Sequence, residues 1–465
     1  MVGNEPRSNA EAIDRQRAEL ERLQIAAVRR MYLQWLVDAR SEPSEEPEPS
    51  GFARPAVELI RPLRGDGDPI PVVRGEIVTP AYTGRELERL QEIVAQFGFA
   101  RGEDRDDRVL RFVTRQDEEA RGRTASPTEQ ALRALRAAGL RADPVHLLSL
   151  AWDMKGGDAT AEPADGQPVR GEPCDGEPLV VVVDTGLYGA AGTRTDGFLD
   201  RVDLGQASDE DLLDVLNADG VVVPHGTVVP NEDGDGYIDL AAGHGTFVAG
   251  VVTQVAPNAT VKVIKALATD GAGTDDQLAA AINRAADVFA ANGERGVLNL
   301  SLGGNTVDDR LPHQVAVALD GLPPEVLVVA AAGNGFDTRP LLPAADKRVI
   351  AVGAVDADLN PTTWSNNGPW VDFSTTGEGV ISTFVPGKET QGHGSDDPFD
   401  ENPDDFPDDN PYATWMGTSF AAPQVAAWLA CFIAEHPQLP ASAAVVALRA
   451  QGVAHPDLGH IVEIL

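Results

Sequence analysis

Leu179-Val180-Val181-Val182-Val183-Asp184-Thr185-Gly186 runs five aliphatic residues together and then stops on an acid, a hydroxyl and a glycine. Unbroken aliphatic character belongs to a strand buried on both faces, as in a parallel sheet between two layers of helices. The pattern recurs in TVKVIKAL (260–267), GVLNLSLGG (296–304), VLVVAAAGN (326–334) and VIAVGAVD (349–356). Helical segments alternate with these runs: HGTFVAGVVTQV (His244–Val255), Thr274–Asn292, a stretch near Asp308–Leu319, and the apolar segment that follows Ser419. The alternation predicts an α/β fold, a parallel sheet with helices on both faces. Such folds bind ligands at the carboxyl ends of their strands, where Asp184, Asn334 and the glycines of LSLGG fall.

Four features meet at that edge. Asp184 ends a strand, a position where aspartate is common as a turn former. Gly243-His244-Gly245-Thr246 opens a helix with an imidazole between two glycines. Ala331-Ala332-Gly333-Asn334 ends a strand on an amide. Ala413–His436, ATWMGTSFAAPQVAAWLACFIAEH, delivers Ser419 at a helix start, with Pro423 read into the first turn. A serine there is ordinarily a cap. With a base and a carboxylate in reach it becomes a nucleophile: the imidazole takes its proton, and the carboxylate sets the tautomer. Asn334 and the Ser419 backbone N–H would then donate to an oxyanion.

The segments VVVDTG, GHGTFVAG, LNLSLGG, VVAAAGN, VIAVGAVD and GTSFAAPQVAA, in this order, resemble the subtilisin-like (subtilase, S8) serine peptidases over about Leu179–Gln451. The order Asp…His…Ser is also theirs. The resemblance implies a serine endopeptidase with Asp184, His244 and Ser419 as the triad and Asn334 in the oxyanion hole. It further implies that Ser301, Leu302 and Gly303 pair with substrate backbone. Leu341 and Leu342 would wall the primary specificity pocket, favouring an uncharged or modestly apolar side chain. No cofactor is required for such chemistry. Phe247 stands where the family has a second histidine, a change expected to leave the triad intact.

Two insertions depart from the compact pattern. Asn231–Gly245 gathers Asp233, Asp235 and Asp239 around glycines, which resembles cation-binding loops of other subtilases and suits structural calcium, against a solvated acidic turn. Asp396–Asp409, directly before the nucleophile, holds eight acidic groups in fourteen positions. Repulsion should keep it extended, either as a plain surface loop or as a gate favouring basic substrates.

Upstream, the sequence reads as an amphipathic helix with an acidic linker (1–50), a small α+β unit (51–154) and a flexible linker (155–178) before the peptidase unit (179–465). The α+β unit alternates strand and helix: Ile70–Pro80, Gly84–Gly98, Val109–Arg115, Ser126–Leu140 with Ser126 as cap, and Pro144–Trp152, with a further strand at Ala56–Leu63. His146 reads as a strand-face residue. Subtilases are commonly made with an N-terminal propeptide of this size, so self-cleavage in the linker is one expectation. A permanent regulatory module that binds a partner protein is the other, and a subtilase fold kept only for binding is a distant third.

The net charge of −36 is lopsided: residues 1–150 carry 23 arginines against 26 acids, so almost the whole excess lies downstream. That surface argues against nucleic-acid and anionic-membrane partners and for protein or peptide substrates, basic ones included. The bland alternative is solubility. No run is apolar enough to span a membrane, and the first twenty residues lack a signal core. Cys174 and Cys431 read as free thiols, consistent with a cytoplasmic location, export by another route notwithstanding.

Overall fold

The computed structural model describes residues 55–63, 68–104, 106–114, 126–150, 161–188, 199, 215–216, 222–223, 237–389 and 404–465. The helix expected at 9–40, the linker at 41–50, residues 155–160 of the second linker, Asp233, Asp235 and residues 396–403 of the acidic insertion lie outside them.

The N-terminal part comprises strands β1 (Val57–Ile60) and β2 (Ile70–Pro80), helix α1 (Gly84–Ala95), β3 (Ala100–Arg101), β4 (Val109–Val113), helix α2 (Pro127–Ala137) and β5 (Asp143–Ser149). Ser126 caps α2 by accepting the Glu129 N–H at 3.2 Å, as its sequence implies. The strands form an antiparallel sheet ordered β5-β2-β4-β3, with β1 on β2. The two helices close a small core around Leu90, Phe112, Leu132 and Leu135.

The larger part follows: β6 (Glu162–Pro163), β7 (Leu179–Asp184), β8 (Val215–Leu216), β9 (Val222–Val223), α3 (His244–Val255), β10 (Thr260–Lys265), β11 (Ala272–Thr274), α4 (Asp275–Ala291), β12 (Arg295–Leu300), α5 (His313–Asp320), β13 (Glu325–Ala331) and β14 (Val349–Val355). Next come β15 (Phe373–Thr376), β16 (Val380–Thr383), β17 (Gly387–Lys388), β18 (Asp405–Phe406), β19 (Tyr412–Trp415), α6 (Thr418–Glu435), α7 (Ser442–Gln451), β20 (Val453–His455) and β21 (Gly459–Ile461). The central sheet runs β10-β7-β12-β13-β14-β15-β21-β20 and is parallel except for β20.

Strand geometry sends successive side chains to opposite faces. Val180 and Val182 therefore join the core under α3 and α6, while Val181 and Val183 join the one under α4 and α5. Asp184 is in phase with Val180 and Val182. It ends its strand on the side where α3 and α6 begin, which is where His244 and Ser419 stand.

Several expectations change. Cys174 and Cys431 are joined in a disulfide, with Cα atoms 5.7 Å apart. The thiol reading fails because residues 161–178 lie along the body: Asn258 Nδ2 donates to the Cys174 carbonyl at 2.9 Å and brings that residue to α6. The helix expected from Asp308 begins only at His313. Residues 404–409 are not a free loop end, since β18 pairs with β17 and Phe406 is buried against Phe384 at 4.6 Å.

Pro423 sits six residues into α6 and not in its first turn. A proline there leaves the carbonyl four residues back, that of Ser419, without its helical donor. The Ser301 hydroxyl donates to it instead, at 2.8 Å. The helix can thus begin at Thr418 and keep an interior proline.

Candidate active site

Asp184 Oδ1 accepts from His244 Nδ1 at 2.7 Å and from the Thr185 N–H at 2.7 Å. Its Oδ2 is buried with no hydrogen-bond partner. His244 is held from the glycine on each side. Gly243, at φ 80°, supplies a left-handed turn before the helix. A Cβ on Gly245 would stand 2.1 Å from the Gly186 carbonyl, so the start of α3 can approach the turn after β7 only if that residue is glycine. The Gly245 N–H then donates to Thr185 Oγ1 at 3.0 Å.

Aromatic rings surround the imidazole. Trp415 meets it edge-on at 5.4 Å and Phe420 lies at 5.2 Å. Phe247 packs on both, at 5.7 and 4.5 Å. The departure from the family's second histidine therefore extends an apolar wall on one side of His244.

Ser419 follows Thr418 at the start of α6. Its hydroxyl donates to the Ser301 carbonyl at 3.3 Å. Asn299 Nδ2 donates to Ser301 Oγ at 3.0 Å, so Asn299, Ser301 and the Ser419 carbonyl form a chain behind the serine. Asn334 Oδ1 accepts from the Thr418 N–H at 2.9 Å and from its hydroxyl at 2.8 Å, and that hydroxyl accepts the Gly333 N–H at 3.0 Å. With its oxygen committed, the Asn334 amide nitrogen is turned toward Gly417, two residues before Ser419.

The structure thus gathers Asp184, His244, Asn334 and Ser419 at one sheet edge. Leu302 is fully buried, and Leu341 and Leu342 are buried beside it; Leu342 exchanges backbone hydrogen bonds with Gly304 at 2.8 and 3.1 Å. Asp239 lies apart: it is buried and accepts the Thr269 hydroxyl. Among the described residues no three acidic, histidine or cysteine side chains converge as a metal site. No described helix is long and apolar enough to cross a membrane.

Sequence reasoning did not say which strand of the N-terminal part reaches this edge of the sheet, or what it pairs with. The end of the N-terminal part lies between the Gly303 edge, expected to pair with substrate, and β11, an edge the sequence did not suggest. Leu147, Leu148 and Ser149 pair antiparallel with Thr274, Gly273 and Ala272. On the other side Ser149 exchanges backbone hydrogen bonds with Gly303 at 3.1 and 3.0 Å. The Leu150 N–H donates to the Gly271 carbonyl at 3.0 Å, and Leu148 and Leu150 join the core that contains Leu302 and Leu342. Around this strand Arg136 pairs with Asp308 at 2.7 Å, Arg141 donates to the Leu311 carbonyl at 2.8 Å, and Arg111 pairs with Asp276. Burial raises the pKa of Asp143 and lowers that of His313 at the same seam. The only sequence signal was LLSL, apolar enough to be buried but silent about its partner.

The profile of the peptidase S8, subtilase family matches residues 177–451, more than half of the chain. This protein is a subtilase. It is 32% identical over 222 residues to subtilisin DY of Bacillus licheniformis, covering 45% of this chain and 70% of that protein. It is 31% identical over 204 residues to thermitase of Thermoactinomyces vulgaris, covering 42% and 62%. The thermophilic serine proteinase of Bacillus sp. (strain AK1) is 33% identical over 193 residues, but those span only 40% of its length. Among solved structures, fervidolysin of Fervidobacterium pennivorans, described as a keratinolytic enzyme related to subtilisin, superposes with a TM-score of 0.56 at 20% identity. It covers 88% of this chain and 62% of its own, a likeness of fold that reaches into the N-terminal part of the subtilase.

Proposed function

We propose that this subtilase is a serine endopeptidase in which Ser419 attacks the peptide carbonyl, His244 takes its proton and Asp184 holds the imidazole. The observation that carries the reading is the 2.7 Å bond from Asp184 to His244 Nδ1, which sets the tautomer with Nε2 as base. The Ser419 hydroxyl, now donating to Ser301, would swing to His244 as substrate enters. Attack forms a tetrahedral oxyanion, toward which Asn334 Nδ2 and the Ser419 N–H would donate. Collapse expels the amine with the proton from His244, and water then releases the acyl-enzyme by the same route. The apolar wall of Trp415, Phe420 and Phe247 limits the imidazole to small motions.

The N-terminal part is the second half of the proposal. Its β5 strand occupies the cleft as a peptide substrate would, paired on both sides through backbone atoms. In a peptide continuing this register, the residue two beyond the one paired with Gly303 would meet Ser301, whose carbonyl touches the Ser419 hydroxyl. In this chain that residue is Ala151. Self-processing would then cut Ala151–Trp152, just upstream of the linker, and leave the N-terminal part as a bound inhibitor. The Cys174–Cys431 disulfide favours an oxidising setting over the cytoplasmic one. Calcium in the Asn231–Gly245 loop would have to rest on Asp233 and Asp235, since Asp239 is engaged with Thr269.

Wild type and Ser419→Ala, purified and examined by intact mass, test both halves. The expected result is a new N-terminus at Trp152 in wild type alone. An uncut wild-type chain with full peptidase activity would replace self-processing by the permanent regulatory module. An uncut chain that stays inactive after an added protease has removed the N-terminal part would sink the enzyme reading.

A further inference from the structure

One buried pair takes no part in the chemistry above. Asp275, fully buried at the first position of α4, accepts from His146 twice through Oδ2: from the backbone N–H at 2.8 Å and from ring Nδ1 at 2.7 Å. The other ring nitrogen, Nε2, accepts the Val307 N–H at 3.2 Å. Asp275 Oδ1 has no hydrogen-bond partner.

We infer that Asp275 and the Val307 N–H form a substrate-reading subsite for an imidazole side chain, selecting peptides with histidine three residues before the one that pairs with Gly303. The inference rests on the proposed reading of the cleft as a peptide-binding groove, occupied here by the chain's own β5.

Position supports it first. Thr274 pairs with Leu147, so Asp275 is the next residue along the same edge and faces the next residue of the bound strand. Its carboxylate takes the backbone N–H that a further ladder carbonyl would otherwise take. Any extended peptide can supply that N–H, whatever its sequence.

Chemistry supplies the selectivity. The subsite offers an acceptor at Asp275 and a donor at Val307, so its ligand must donate at one end and accept at the other. Neutral imidazole does both. Lysine has no acceptor for Val307, a carboxylate has no donor for Asp275, and an aliphatic side chain has neither. A buried acid with one oxygen unpaired is costly, and the helix N-terminus behind it offsets only part of that cost. Two donors from the bound strand, both to Oδ2, offset a further part, so among bound peptides one with histidine satisfies the carboxylate best.

The test uses the full-length chain, incubated until its rate on a reference peptide is constant, at about pH 8, where free imidazole is neutral. The substrates are His-Leu-Leu-Ser-Leu-Ala with a fluorogenic leaving group and two counterparts, with alanine or lysine in place of histidine. The expected kcat/KM for the histidine peptide is about tenfold above both, the worth of about 1.4 kcal/mol. In Asp275→Ala, which removes the acceptor altogether, the histidine-to-alanine ratio should fall toward one, whatever the overall rate of that variant. Equal rates on the histidine and alanine peptides in wild type would overturn the inference without any variant and leave the protease reading intact. A lysine peptide cut as fast as the histidine one would overturn it in favour of simple attraction to an acidic surface. Failure to cut any of the three would overturn the cleft reading and this inference with it.

Discussion

His244 and His146 each hold Nδ1 2.7 Å from a buried carboxylate oxygen, and in each pair the second carboxylate oxygen has no hydrogen-bond partner. They part at Nε2. In His146 that atom is closed by the Val307 N–H, whereas no hydrogen bond among the described residues closes it in His244. They part again in their neighbours. His244 and Asp184 both belong to the subtilase body and are braced by Thr185, Trp415 and Phe420, while His146 and Asp275 join two parts of the chain. A histidine–aspartate bond therefore says little about chemistry by itself. An Nε2 left open among the described residues, in a ring whose braces all belong to the subtilase body, separates the proposed base from a clasp.

The largest effect that could break this contrast is at the proposed nucleophile. Ser419→Ala should lower kcat by about 10⁶-fold, measured on a peptide ester with the fold checked by circular dichroism. Asp184→Asn should cost about 10⁴-fold through the wrong tautomer, whereas Asp275→Asn should come nowhere near that loss. Comparable losses in the two would erase the distinction between base and clasp.

The clasp has its own measurement. In the uncut Ser419→Ala chain, His146→Ala should speed hydrogen exchange at Ala272–Thr274 by about 10-fold or more, the worth of a hydrogen bond to a charged group. Unchanged protection would show that backbone pairing alone holds β5. Ser301→Ala tests the brace behind the nucleophile: the Ser419 carbonyl, denied a donor by Pro423, would lose its substitute at about 1–3 kcal/mol, read from the denaturation midpoint.

The smallest effect lies in the pH dependence of docking. His313 donates to the Arg108 carbonyl across the seam at 3.3 Å, and burial lowers its pKa below the ordinary 6.5, with Arg141 adding to this and the bond to Arg108, Asp143 and Asp106 opposing it. The docked state prefers the neutral ring. Its contribution is complete above that ordinary value and is lost as pH falls through the lowered one. Asp143 works oppositely: its pKa is raised, so its share is present in acid and lost as pH rises through the raised value. His313→Gln should flatten the acid limb of docking in the uncut chain, followed by exchange at the same amides. An unaltered limb would exclude His313 as its source.

What could be read from the sequence followed the strength of each residue's local signal. β7, β13 and β14 are aliphatic almost throughout, β10 and β12 interleave aliphatic residues with lysine or asparagine, and α3 carries its own glycine punctuation, so these elements and the edge they share were legible. β15 was not, because Phe373-Ser-Thr-Thr buries hydroxyls whose partners are distant; Ser374 donates to the Leu458 carbonyl at 3.0 Å. β11 is Ala-Gly-Thr, with no apolar run to announce a strand, and its pairing with β5 depends on a surface 123 to 127 residues away in the chain. The disulfide hid for a similar reason, its cysteines being 257 residues apart. Pro423 misled because the rule for helix interiors assumes no outside donor, and Ser301 supplies one.

Val307 has a consequence for what happens after any cut at the linker. Its side chain is fully buried in the core of the N-terminal part, its carbonyl accepts the Leu63 N–H at 2.7 Å, and its N–H serves His146. Every group on this one residue is thus lent by the body to its smaller neighbour. Once separated, the small part would carry a hole where that side chain had been and two unanswered polar atoms, at Leu63 and His146. Departure would then loosen the thing that departs and expose it to digestion, so that letting go behaves as a ratchet and return becomes rare.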